Sequence, residues 1–135
     1  MELAVANLVL AAYMTGVIWV VQVVHYPLFA AVGRPGWHAY EAAHRRRITA
    51  VVGPVMLAQA VVAVALVADR PGLPAALNLG LALGLLAATV TLFGALHARL
   101  ERGWDGAAHR RLLRLNAVRA AAWTAQLAVA VALVL

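Results

Sequence analysis

The chain has 135 residues, of which 65% are hydrophobic and only 12% charged, and its net charge is +6. Soluble domains run at about 45–50% apolar and about 25% charged, so a soluble enzyme, a nucleic-acid-binding module and a disordered regulator are excluded as primary readings. All eleven basic residues are arginine, and with no cysteine there is no disulfide framework, thiolate zinc site or cysteine nucleophile.

A membrane helix needs about 20 apolar residues, and four such stretches follow one another. The first, 3–24, starts behind Glu2, lacks a basic flank and exceeds the apolar core of a signal peptide, so it reads as a span. Its polar residues Thr15, Trp19, Gln22 and His25 fall 4, 3 and 3 apart, which is one helical stripe. Pro27 ends or kinks this helix. The segment 37–47 comes next, with Trp37 near its start and Arg45, Arg46 and Arg47 at its end, and reads as a short interfacial amphipathic helix. The second span, 48–68, contains Pro54, where a kink is expected, and carries Gln59 about 16 Å from its start. The turn 69–74 is nearly neutral and rich in breakers. The third span, 75–96, runs past Thr89 and Thr91 to His97, and 105–114 reads as a second interfacial helix behind Trp104. In the fourth span, 115–135, Asn116, Arg119, Trp123 and Gln126 fall 3, 4 and 3 apart, again one stripe.

These elements predict an all-α, integral membrane four-helix bundle forming one domain over 1–135, with two short interfacial helices. Both arginine-rich segments follow odd-numbered spans, so the positive-inside rule places them in the cytoplasm and both termini outside. Their arginines are expected to snorkel and to pair with anionic lipids. The segment Ala42-Ala43-His44-Arg45-Arg46 recurs as Ala107-Ala108-His109-Arg110-Arg111, each copy preceded by a tryptophan and by a span ending in His25 or His97. The chain therefore reads as a two-hairpin repeat with its pseudo-twofold axis along the membrane normal.

All five histidines fall on the arginine-rich side. His38 departs from the repeat and reads as a surface residue. Glu41 and His44 share a helix face, as do Asp105 and His109, and the Glu-x-x-His spacing is that of carboxylate-bridged di-metal bundles. Two readings stand for His25, His44, His97 and His109. Either they bond backbone and lipid phosphate, or at least two of them join Glu41 and Asp105 around iron, copper, zinc or haem. Gln22, Gln59, Asn116, Trp123 and Gln126 are expected to line a cavity that opens towards the cytoplasm, with the far end sealed. Arg119 either snorkels or holds a substrate group there.

The residues Gly16, Trp19 and His25-Tyr26-Pro27-Leu28-Phe29, then His44-Arg45-Arg46-Arg47-Ile48 and Pro54-Val55-Met56, resemble the first half of the HemJ-type protoporphyrinogen oxidases. So do His97, Leu100 and Gly103 followed by Arg110, Leu112, Leu113, Arg114, Leu115 and Asn116. The resemblance implies a small helical bundle of the bacterial inner membrane and haem b. The chain departs from that family where its first span carries a haem-binding histidine, since Ala6 and Asn7 stand there, and it has no lysine for the second span. Haem ligation and porphyrinogen chemistry are therefore not carried over.

The function expected from the residues is a membrane-embedded oxidoreductase or related enzyme acting on a lipophilic substrate. His25 and His97 would serve as acid/base groups or metal ligands, and Arg119 would orient a polar substrate group. The rival readings are a haem- or quinone-binding subunit and a small transporter working as a homodimer.

Overall fold

The computed structural model describes residues 1–135 and consists of helices only. Four are long and apolar enough to cross a membrane: α1 (Glu2–Ala31), α2 (Arg34–Asp69), α3 (Leu73–Glu101) and α4 (Gly106–Val134). The links between them are short and follow from local chemistry. Gly33, at φ +84°, makes the turn out of α1, a conformation that suits a residue without Cβ. Proline stands in the first turn of both α2 and α3, where its missing N–H is not needed. At the start of α4 the Asp105 carboxylate accepts from the Ala107 and Ala108 amides at 2.9 and 3.0 Å, which satisfies two otherwise orphaned donors.

The helices alternate in direction, so both termini lie at one end of the bundle and the arginine-rich segments at the other. α1 packs against α2 and α4, and α3 against the same two. The core at the basic end is aromatic, with Tyr26, Phe29, Trp37 and Phe93 all buried. The outside of the bundle is apolar. Val9, Val23, Leu57, Val61, Val90 and Val118 are each more than half exposed, the pattern of helices surrounded by hydrocarbon rather than water.

Two sequence expectations change here. The segments 37–47 and 105–114 are not separate interfacial helices. The first lies wholly within α2, while the second, from Gly106 on, opens α4. No glycine or proline separates residues 37 and 52, or 107 and 134, and alanine, leucine and arginine all favour helix. α2 also continues through Pro54 without a break. Trp37 does not face outward from the bundle. It is buried, and its indole N–H donates to the Leu100 carbonyl at 2.5 Å.

Two local features set which side chains face inward at the basic end. α1 contains a π turn at Val21–His25, closed by the Tyr26 amide bonding to the Val21 carbonyl five residues back. α3 contains one at Thr89–Phe93, closed by the Gly94 amide on Thr89. Each π turn adds one residue and rotates everything beyond it by about 100°.

Near the termini end lies a layer of fully buried amides: Asn7, Asn78, Gln59 and Gln126. Asn7 and Asn78 bond to each other reciprocally, at 3.0 and 3.2 Å, and Gln126 Nε2 reaches Asn78 Oδ1 at 3.5 Å. Gln59 has no partner for either side-chain atom, and Gln126 Oε1 has none.

Candidate functional site

A cavity of about 370 Å³ lies in the basic half of the bundle. Its walls come from all four helices. Most are apolar, including Met14, Val17, Val52, Met56 and Leu86, with Trp123 on the α4 side. The polar lining is small and gathered: Tyr26, Thr89, His97 and Arg119, with Arg45 and Thr49. Thr49 and Leu57 of α2 and Val90 of α3 are exposed lining residues, so the cavity opens sideways between those two helices.

Tyr26, Thr89, His97 and Arg119 belong to one connected chain. Glu41, on α2 and fully buried, meets His97 on α3, with Oε1 2.5 Å from Nδ1. The carboxylate accepts the Nδ1 proton and so leaves Nε2 as the acceptor nitrogen. Nε2 lies 2.9 Å from the Tyr26 hydroxyl, which donates to it. On the other side of that hydroxyl, Arg119 Nη2 donates at 3.4 Å. Arg119 is held in turn. Its Nε and Nη2 donate to Asn116 Oδ1 at 3.0 and 2.6 Å, and Asn116 donates to Gln22 at 2.8 Å. Its Nη1 reaches Thr89 at 3.4 Å, and its guanidinium sits 3.7 Å above the Phe93 ring centre.

Chemically, this is a carboxylate–imidazole–phenol relay with a cation at its end. A proton moving from Tyr26 to His97 creates an imidazolium beside Glu41 and a phenolate beside Arg119. Each new charge meets an opposite one already in place. The apolar walls exclude water and strengthen those interactions.

The residues anticipated from sequence divide sharply. His97, Arg119 and Trp123 line the cavity. Asn116 and Gln22 do not. They form the bracket that fixes Arg119. Gln59 and Gln126 belong to the amide layer nearer the termini. His25 stands beside the relay: its Nε2 bonds to His44 Nδ1 at 2.9 Å, and it does not line the cavity. The π turn is the reason. It turns Tyr26, 2% exposed, into the inward position that an uninterrupted helix would give His25. Tyr26 is the functional residue that periodicity alone misses. Its signal in the sequence is Pro27, whose missing N–H disturbs the helix at that point.

His109, Asp105, Arg45 and His38 have structural partners. His109 is buried, and its Nε2 donates to the Tyr26 carbonyl at 2.8 Å, which ties the end of α1 to α4. Asp105 caps α4 and pairs with Arg99 at 2.6 Å. The Ala108 amide, with help from Arg99, holds its carboxyl below the usual carboxylate range. Arg45 pairs with Glu101. His38 is exposed and bonds to the Glu101 carbonyl at 2.8 Å.

A metal would need three or four donors converging on one point. No three of the His, Asp and Glu side chains do so. Both His97 nitrogens are engaged, Asp105 stands at the start of α4 and His109 is bound to backbone. In this arrangement the donors do not converge as iron, copper or zinc would require. No family model, curated protein or solved structure matches the chain.

Proposed function

We propose that this protein is a membrane-embedded enzyme acting on a lipophilic substrate, with proton transfer by Tyr26 and His97 as its chemistry. The observation that carries the reading is the Glu41–His97–Tyr26–Arg119 chain ending at an apolar cavity. Glu41 fixes the His97 tautomer, His97 takes or returns the proton, and Tyr26 presents it at the cavity wall. Arg119 stabilises negative charge on the phenol oxygen or on the substrate. The oxidoreductase form of this reading pairs the same proton transfer with a quinone, itself a lipophile, as electron partner.

The chain is proposed to sit in the bacterial cytoplasmic membrane with both termini outside. The arginines at one end of the bundle support that orientation. A two-hairpin repeat is supported by the reciprocal Asn7–Asn78 pair and by π turns at corresponding places in α1 and α3.

The test compares lipophilic extracts of membranes carrying the wild type, His97→Ala and Tyr26→Phe. A lipophile that accumulates or disappears only with the wild type is the expected result. Extracts that are identical across the three, with all proteins present at equal level, overturn the enzyme reading.

A further inference from the structure

Arg119 differs from the other arginines near the site. Arg45 and Arg99 each have a carboxylate partner, Glu101 and Asp105. None of the ion pairs in the molecule includes Arg119. Its acceptors are an amide, a phenol and a threonine hydroxyl, all neutral, and an aromatic ring lies beneath it. The nearest embedded carboxylate, Glu41, is taken up by His97. A guanidinium without a counter-charge against apolar walls is unfavourable. Asn116 occupies its Nε–Nη2 edge, and the Nη1–Nη2 edge, held only by the 3.4 Å contacts to Thr89 and Tyr26, is the one that can meet an oxyanion in two-pronged fashion.

The cavity continues from Arg119 over Met14, Val52, Met56 and Leu86 to the sideways opening. At about 30 Å³ per non-hydrogen atom, the share a water takes in liquid, its volume holds roughly a dozen atoms. A longer chain has to leave between α2 and α3, where Leu57 and Val90 are exposed. Head and tail requirements are thus fixed by different residues on one continuous surface.

We infer that Arg119 anchors the head of an anionic amphiphile, a single oxyanion on an apolar tail that lies in the cavity and emerges between α2 and α3. This names the substrate class of the enzyme proposed above and rests on that reading for turnover, while binding can be read on its own. The oxyanion is either a free carboxylate or the phosphate of a lipid.

The experiment is calorimetric titration of the detergent-solubilised protein with decanoate, decanol and decylammonium at matched micelle concentration. Decanoate should bind at least about tenfold tighter than decanol, a difference typical of one charge-assisted contact, and decylammonium should not bind. Arg119→Gln should bring decanoate down to the decanol level, whereas Arg114→Gln, an exposed arginine on the same helix, should not. A thermal melt checks that each variant is folded, and decylammonium exclusion by the wild type needs no variant. Equal binding of decanoate and decanol, equal binding of decylammonium, or selectivity that survives Arg119→Gln in a folded protein overturns the inference. In nanodiscs, displacement of decanoate by phosphatidylglycerol but not phosphatidylcholine assigns the site to lipid phosphate. Retention of decanoate assigns it to a free acid, and either result supports the anchor. Selective binding without any turned-over lipophile refutes the enzyme alone. Turnover with no preference for decanoate refutes the anchor alone.

Discussion

The two ends of the bundle bury polar groups in opposite ways. At the termini end the buried groups are four neutral amides, and Asn7 and Asn78 satisfy each other. At the basic end they are ionisable, and they form a directed chain from Glu41 to Arg119 beside open space. An amide is its own complement, with one donor group and one acceptor, so a pair can close and seal a bundle. A carboxylate, an imidazole, a phenol and a guanidinium are not self-complementary. Placed in line, they leave one end asking for a further partner. The difference teaches that polarity inside such a bundle is not by itself a functional signal; the signal is a directed chain of unlike ionisable groups beside open space.

The largest test of this contrast is catalytic. Glu41→Gln and His97→Ala should lower turnover by roughly 10²–10⁴-fold, the range of a positioned acid–base group. Asn7→Ala should leave turnover of the folded protein unchanged, and equal losses at both ends would erase the distinction. Next comes stability at the termini end. Asn7→Leu leaves the Asn78 Nδ2 donor unpaired and its Oδ1 with only the 3.5 Å contact from Gln126, and should destabilise by about 1–3 kcal/mol, whereas the Asn7→Leu/Asn78→Leu double variant should recover most of the loss. Thermal unfolding in detergent reads both. Gln59→Leu should act in the opposite direction, stabilising by about 1 kcal/mol, because the amide it removes has no partner. A lower melting temperature for that variant would show that Gln59 is satisfied in the membrane.

The smallest effect is expected at Asp105, on the link into α4. Its carboxyl is held low, so the stability it contributes is present above the ordinary carboxylate range and fades as pH falls through its depressed value. Asp105→Asn should therefore melt slightly below the wild type at pH 7, with the gap closing in strong acid. A gap that persists at low pH would assign the effect to geometry rather than charge.

The four helices are legible in the sequence because each is an apolar run long enough to cross a bilayer, and because arginine marks one end. The α4 stripe is legible too. That helix has no interruption, so Asn116, Trp123 and Gln126 are all buried and Arg119 faces the cavity. The α1 stripe is only partly legible. Thr15 turns inward, but Trp19 is exposed and bonds to Thr124, and the π turn exchanges His25 for Tyr26. A period of 3.6 residues assumes a regular helix, and one inserted residue defeats it. Nor does one helix's pattern give the level at which it meets another. Gln59 and Gln126 do point inward, yet that Gln126 meets Asn78, and that neither lines the cavity beside Arg119, depends on how four helices slide against each other.

The sideways opening between α2 and α3 changes what concentration means for this protein. In the proposed membrane setting, a ligand arriving through Leu57 and Val90 would be drawn from the hydrocarbon, not from the aqueous phase. Its apparent affinity per litre of buffer should grow by about 0.8 kcal/mol for each methylene that enters the bilayer, with no new contact to the protein. Compounds ranked in bulk water would then be ranked mainly by their partitioning. The cavity's own preference emerges only when occupancy is plotted against mole fraction in the lipid.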